Sequence, residues 1–245
     1  MDYFYLGRKE EPNEALPLLA ILDQATQRVF SVSLPMKGLG HQYNAAVVTK
    51  LIKILGHQHS VLKTDTERSL VALRTAVQQQ LPNLSFEDAI KGESQTNGPI
   101  ESAVGRLQAQ ARTLKSALEF NYELAIPPRH PILCWLVDYC GTLLSRFQRG
   151  ADGRTPYERS TGKAWKIKLP EFGECILYQP LKGERERGKL EAKFEKGIYL
   201  GIQEGTGMRW VGTPNGVVRT WTTKTLAETS GKRRSSRTSW ACHGS

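Results

Sequence analysis

The chain has 245 residues, of which 39% are hydrophobic and 24% charged, enough for a packed core in one large or two small domains. Because no apolar run reaches the ~18 residues of a membrane span and no signal peptide is recognised, we expect neither membrane insertion nor secretion. A nuclear or cytoplasmic location is therefore expected. The net charge is +10, with 13 basic and 13 acidic residues in 1–126 but 21 and 11 in 127–245. A basic half predicts a polyanionic partner, although the excess could serve solubility alone.

The cysteines are four in number and show no CxxC spacing. This pattern favours free thiols in a reducing compartment over a disulfide framework or a zinc module. The residues concerned are Cys134, Cys140, Cys175 and Cys242.

Strands and helices alternate in the first half of the chain. Short apolar runs bounded by turn residues predict strands, and apolar residues at steps of three and four predict amphipathic helices. In chain order we expect a strand at 2–6, a hairpin of strands 18–22 and 28–34, a helix at 41–55, a strand at 61–65, a helix at 69–81 and a weaker strand at 84–90.

The most regular predicted helix follows Pro99. Gly98 suits its N-cap and Pro99 its first turn. Its apolar stripe predicts one buried face, formed by Ile100, Val104, Leu107, Ala111, Leu114 and Leu118. A second stripe contains Glu101, Gly105, Gln108, Arg112 and Lys115. Its two cations could meet a phosphate backbone, although an ordinary solvated face is the simpler interpretation.

The second half begins with a break at the proline-rich stretch 127–131. A helix is predicted at 132–148, an irregular basic segment at 149–168, and short strands at 173–179, 196–203, 208–213 and 217–223. Pro214-Asn215-Gly216 predicts a hairpin turn. The expected domains are thus an α/β core at 1–126, a helical extension and basic linker at 127–168, a small all-β module at 169–227, and a disordered basic tail at 228–245.

Three carboxylates could meet in this arrangement. Asp65 ends a predicted strand, Glu101 begins the long helix after 35 intervening residues, and Asp2 lies in the first strand. Carboxylates from separate elements can hold the two divalent cations of a phosphoryl-transfer site, and their mutual repulsion makes sense only with metal bound. The alternative is that Asp65 is a turn residue and Glu101 an acid favoured by the helix dipole.

The element order resembles the ribonuclease H-like pattern, and 2–162 resembles the catalytic core of a retrotransposon or retroviral integrase of the aspartate-aspartate-glutamate superfamily. The resemblance rests on the 35-residue gap, on Leu62-Lys63-Thr64-Asp65, and on the run from Ser94 to Glu101 (SQTNGPIE). The Thr155–Lys163 segment (TPYERSTGK) resembles a segment of copia-type elements. The module from Phe172 to Leu226 resembles the SH3-like domain that follows in copia-type polyproteins.

This resemblance implies a ribonuclease H-like core with a mixed five-stranded sheet, followed by an SH3-like barrel. It implies metal-dependent DNA 3′-end processing and strand transfer, with Mg²⁺ or Mn²⁺ at two sites held by Asp2, Asp65 and Glu101. The expected partners are transposon ends and target DNA, with a possible homo-oligomer. The residues expected to contact nucleic acid are Gln95, Asn97, Arg112, Lys115, Lys163, Lys166 and Lys168.

The sequence also departs from the family. No zinc-binding module precedes Asp2, and Thr66-Glu67-Arg68-Ser69 replaces the asparagine-glycine-glycine-glutamate run common after the second aspartate. We therefore expect an N-terminally truncated fragment of a Pol polyprotein. The alternatives are a catalytically inactive nucleic-acid-binding remnant and a nuclease on the same fold.

Overall fold

Apolar runs bounded by turn residues form the first strands of the chain. The computed structural model describes residues 1–6, 16–39, 42–88, 94–181 and 190–226, with only the backbone at 94–96. The chain divides into two units after Lys168. The tail predicted to be disordered, including Cys242, lies outside the described residues.

An antiparallel sheet of three strands opens the first unit. It comprises β1 (Asp2–Phe4), β2 (Leu18–Asp23) and β3 (Arg28–Ser33), in that spatial order. Asp23 fixes the β2–β3 turn, since its Oδ2 accepts a hydrogen bond of 2.5 Å from the Thr26 hydroxyl. Asp2 lies opposite Ala20 in the register.

A parallel pair follows, β4 (Ser60–Thr64) and β5 (Leu84–Asp88), connected by α2 (Arg68–Gln80). Helix α1 (Gln42–Leu55) precedes β4. The two helices and both groups of strands share one hydrophobic core, because each contributes fully buried apolar side chains. These include Leu19, Val48, Leu70, Leu73 and Val77.

In the described residues these five strands form two separate sheets, of three and of two strands, and not the single five-stranded sheet that was expected. Among the described residues no backbone hydrogen-bond ladder joins β1 to β4. The amine of Met1, just before β1, instead donates a hydrogen bond of 2.7 Å to the carbonyl oxygen of Lys63 in β4. β1 is only three residues long, so little backbone is available for pairing. The prediction of a mixed α/β fold is confirmed.

Helix α3 (Ser94–Tyr122) begins earlier than predicted. Gly98 is therefore not its N-cap, Pro99 is its sixth residue and Glu101 its eighth. As the sixth residue, Pro99 lies beyond the first four amides that have no intrahelical acceptor. Helix α3 therefore gives up the hydrogen bond that an amide at this position would donate to the Gln95 carbonyl oxygen. The buried face is formed by Ala103, Leu107, Ala111 and Leu118.

Helix α4 (Ile132–Phe147) packs closely on β3. The Ser145 hydroxyl donates to the Val29 carbonyl oxygen at 2.7 Å, and the Ser31 hydroxyl donates to the Val137 carbonyl oxygen at 2.6 Å. A Cβ at Gly141 would lie 2.8 Å from Ser31 Oγ, so this close approach requires glycine. Helix α4 is thus part of the first unit.

The segment predicted to be irregular, 149–168, contains a short helix α5 (Pro156–Thr161). The Glu158 amide donates to Thr155 Oγ1 at 3.1 Å, and Gly162 ends the helix at φ 71°. Thr155 followed three residues later by Glu158 has the form of a capping box, a signal that could have predicted this helix.

The second unit is an antiparallel sheet of five described strands. These are β6 (Cys175–Tyr178), β7 (Glu195–Ile202), β8 (Arg209–Thr213), β9 (Gly216–Thr220) and β10 (Thr223–Thr225), in the spatial order β10-β6-β7-β8-β9. The predicted turn at Pro214-Asn215-Gly216 joins β8 to β9. In the described residues of this unit all regular elements are strands, and an SH3-like barrel stays a prediction. None of the helices in the described ranges has the length and apolarity to cross a bilayer.

Candidate active site

Asp2 lies in β1, near the end of β4. It is partly buried, and its Oδ1 accepts a hydrogen bond of 2.8 Å from the Tyr3 amide. Burial raises the pKa of the Asp2 carboxyl, and the negative charges of Asp65 and Glu67 raise it further. The fold therefore brings Asp2 within electrostatic range of Asp65, as their predicted positions on neighbouring strands require.

Asp65 directly follows β4 and is exposed. Its Oδ1 accepts a hydrogen bond of 2.6 Å from the Thr66 amide, an interaction that holds the carboxylate in the turn. The preceding residue, Thr64, is buried and accepts a hydrogen bond of 3.0 Å from Arg74 of α2. Arg74 also pairs with Asp88 at the end of β5. These contacts fix the end of β4, from which the exposed turn with Asp65 begins.

A cavity of about 660 Å³ has both Asp2 and Asp65 in its lining. Helix α3 contributes Asn97, Pro99 and Ile100. Its mixed lining includes four acidic residues, Asp2, Asp23, Asp65 and Glu87, and suits a hydrated cation better than an apolar ligand.

Glu101 is exposed and does not line this cavity, although Ile100 does. Successive helical residues differ in direction by about 100°, so neighbours on a helix face different surroundings. Within the described ranges, no three histidine, cysteine or acidic side chains are grouped closely enough to hold a metal ion. The structure thus places Asp2 and Asp65 together and Glu101 apart from them.

The donor chemistry of Asp2 and Asp65 fits a divalent cation. Both provide hard carboxylate oxygens facing one cavity, and their like charges would be offset by a bound cation. The role of Glu101 as a third ligand stays a prediction.

The predicted nucleic-acid contacts have diverse surroundings. Asn97 lines the cavity, while Arg112, Lys163, Lys166 and Lys168 are exposed. Lys115 is paired with Glu119 at 2.5 Å, one turn further along α3. Gln108, from the same stripe, donates to the Tyr5 carbonyl oxygen at 3.0 Å. The side chain of Gln95 lies outside the described residues.

The charged residues near the site that were not predicted include Glu67 and Lys37, which form an ion pair. Glu67, two residues after Asp65, accepts hydrogen bonds of 2.7 Å from both Lys37 and Ser69. Burial alone would raise the pKa of Glu67, but these bonds outweigh it and lower the pKa. Glu67 could have been predicted as a neighbour of the site, because it follows Asp65 by two residues in the sequence. Lys37 could not, because it is distant from Asp65 along the chain.

The other predicted feature is the set of free cysteines. Within the described residues, Cys134, Cys140 and Cys175 are free thiols. The described part of the chain therefore contains no disulfide.

No protein-family model matches the chain, and no curated protein matches it in sequence. Among solved structures, this chain is similar to a chain in the cryo-EM structure of the simian T-cell lymphotropic virus intasome in complex with PP2A regulatory subunit B56 gamma. The similarity covers 92% of this chain and 77% of that chain, with a TM-score of 0.50 and 11% sequence identity. The catalytic core domain of BIV integrase is similar over 64% of this chain and 90% of that one, with a TM-score of 0.43 and 15% identity.

The first of these similarities shows an integrase-like fold. At 11% identity it concerns the fold and not the chemistry of the site. The predicted resemblance to integrases is confirmed at this coarse level, and its copia-type assignment stays a prediction.

Proposed function

We propose that this chain is an integrase-type polynucleotidyl transferase that processes DNA 3′ ends and joins them to target DNA. The observation that carries the proposal is the shared cavity of Asp2 and Asp65 on an integrase-like fold. These positions are the ones at which the sequence resemblance places two of three catalytic carboxylates.

In this proposal Asp2 and Asp65 hold Mg²⁺ or Mn²⁺, with Glu101 as the third ligand. The metal pair would activate the attacking oxygen and stabilise the leaving oxygen of the phosphodiester. The protein's own contribution is to hold the two carboxylates in place, through the Tyr3 amide at Asp2 and the Thr66 amide at Asp65. Asn97, at the cavity wall, would orient the DNA end.

DNA would be held by the exposed lysines at positions 163, 166 and 168 and by the second unit, which we assign to the SH3-like class on its five antiparallel strands. Such contacts to phosphates release condensed counterions, so binding should weaken steeply with salt. By analogy with the intasome, a nucleoprotein assembly, the active form would be a homo-oligomer bound to DNA ends.

The test is joining of a labelled blunt DNA duplex to a plasmid, with Mg²⁺, with Mn²⁺ and with chelator. Asp2→Asn and Asp65→Asn should abolish joining while leaving DNA binding intact. Glu191→Gln is the matched control, because Glu191 is an exposed acid in the second unit. Joining by Asp65→Asn at the wild-type rate would refute the proposal.

A second candidate function is DNA binding without catalysis. The observation that favours it is the position of Glu101 outside the cavity that Asp2 and Asp65 line. Under this alternative, the wild type and Asp65→Asn bind DNA equally and neither joins ends. A loss of joining in Glu101→Gln as large as in Asp65→Asn would instead show that Glu101 reaches the metal in the DNA complex.

A further inference from the structure

We propose that Lys37 is a positioning residue for Asp2 and Asp65, acting through Glu67. This inference rests on the proposed function, since it concerns the same pair of carboxylates. Lys37 lies in the turn after β3, distant in sequence from both, and the resemblance to integrases gave it no role.

Lys37 contacts the strand of Asp2 and the turn of Asp65 at the same time. Its Nζ lies 2.7 Å from Glu67 Oε1 and 4.9 Å from the centroid of the Tyr3 ring. Tyr3 is the residue next to Asp2, and Glu67 is two residues beyond Asp65. The Lys37 ammonium is therefore a bridge between the two segments that carry the carboxylates.

The turn that carries Lys37 is itself held in place. The Gly38 amide donates to the Tyr3 hydroxyl at 2.9 Å. Asn44 of α1, which is fully buried, donates to the carbonyl oxygens of Met36 and Gly38 at 2.8 Å each. The turn is thus tied to both β1 and α1, so Lys37 provides a fixed point of attachment.

Glu67 is equally constrained at the other end of the bridge. The Ser69 hydroxyl donates to the same Glu67 oxygen as Lys37, and the Val71 amide donates to the Glu67 carbonyl oxygen at 3.0 Å. Glu67 is the residue immediately before α2. The side chain and backbone of Glu67 therefore attach the turn containing Asp65 to Lys37 on one side and to α2 on the other.

This bridge matters because Asp2 and Asp65 repel each other. Without a restraint, the exposed turn with Asp65 would move away from the partly buried Asp2. Outer partners that orient metal-binding carboxylates commonly change metal affinity 10–100-fold when removed. A bridge through Lys37 would keep the two carboxylates at a spacing that a divalent cation can use.

The test is Mn²⁺ affinity of the full chain, measured by water-proton relaxation, together with the joining assay. Lys37→Met should weaken Mn²⁺ binding about ten-fold. Lys37→Arg should retain most of it, because the charge and the contact with Glu67 are kept. Glu67→Gln should resemble Lys37→Met, and the double variant should be no worse than either single one. Lys50→Met is the matched control, since Lys50 is an exposed lysine on α1.

The charge swap Lys37→Glu with Glu67→Lys separates positioning from a general loss of structure. It should recover Mn²⁺ affinity relative to Lys37→Glu alone. Unchanged Mn²⁺ binding by Lys37→Met would overturn the inference, because Lys37 would then have no effect on the site. Tighter binding would also overturn it, because Lys37 would then only compete with the metal. A wild type that binds Mn²⁺ but joins no DNA ends would refute the proposed function alone, while one that binds no Mn²⁺ would refute both.

Discussion

The guanidinium carbon of Arg28 lies 5.3 Å from the centroid of the Tyr157 ring, a contact that joins β3 to α5. Arg146 of α4 lies 5.1 Å from the same ring and 4.7 Å from the ring of Trp165. The rings of Tyr157 and Trp165 meet edge to face at 5.4 Å. The segment after α4 is thus anchored in the first unit by two buried arginines and two aromatic rings. This segment includes the exposed lysines at 163, 166 and 168.

This anchor should be important for stability. Tyr157→Ala removes the ring that both arginines contact, and we expect it to lower the free energy of unfolding by about 2–3 kcal/mol. Tyr157→Phe keeps the ring and should cost much less. Urea denaturation of the full chain, followed by circular dichroism, measures both variants. Equal stability of Tyr157→Ala and wild type would show that the anchor contributes little.

The core of the first unit should respond strongly to truncation at α2. Leu73 is fully buried, so Leu73→Ala should destabilise the fold by about 2–5 kcal/mol through lost burial and a residual cavity. Val61 on β4 is 63% exposed, and Val61→Ala should change stability by no more than about 0.5 kcal/mol. Chemical denaturation compares the two variants. A large loss of stability in Val61→Ala would contradict the position of Val61 on the exposed face of β4.

The thiols should differ sharply in reactivity. Burial raises the pKa of the Cys140 thiol far above its usual value, with a contribution from the charge of Asp138, so Cys140 stays protonated across the physiological pH range. Since the thiolate is the reactive form, Cys140 should resist alkylation in the folded protein up to about pH 9. Cys134 and Cys175, which are only partly buried, should react first.

Mass spectrometry after a timed iodoacetamide pulse measures each site of this reaction. A denatured sample provides the control, since all thiols should then react alike. Rapid modification of Cys140 in the native protein would contradict the packing of α4 on β3.

DNA affinity should depend on the lysines that follow Gly162. If Lys163, Lys166 and Lys168 each contact a phosphate, changing all three to Ala should reduce the slope of log K against log salt by up to about 2.7. The control is Lys50→Ala with Lys53→Ala, two exposed lysines on α1. Fluorescence anisotropy over a salt series measures the slope. An unchanged slope in the triple variant would place the DNA contacts elsewhere.

Much of the fold could be predicted from residue patterns. The alternating and helical spacing of apolar residues located β2, β3, α1, β4, α2 and α4 to within one or two residues at most of their ends, because each element must bury one face. The start of α3 could not be located in this way. Gly98 and Pro99 are typical helix-start residues, but α3 tolerates both in its early turns.

The candidate site likewise has residues whose positions could be predicted from the sequence and one whose position could not. The positions of Asp2 and Asp65 at neighbouring strand ends could be predicted because strand order determines which ends meet. Whether Glu101 faces the cavity depends on how α3 is rotated against the strands, which tertiary packing decides. Ile100 lines the cavity, and Glu101, turned by about 100° from it, does not.

From the sequence alone came the composition of the chain, its α/β and all-β halves, and the two aspartates as a candidate pair, since these depend on local periodicity and on element order. Only the tertiary structure decided that Lys37 and Glu67 meet beside those aspartates, that Arg28 and Arg146 enclose Tyr157, and that Glu101 lies outside the cavity. Contacts between residues far apart in the chain depend on how packed elements are oriented, and no local pattern of residues encodes that orientation.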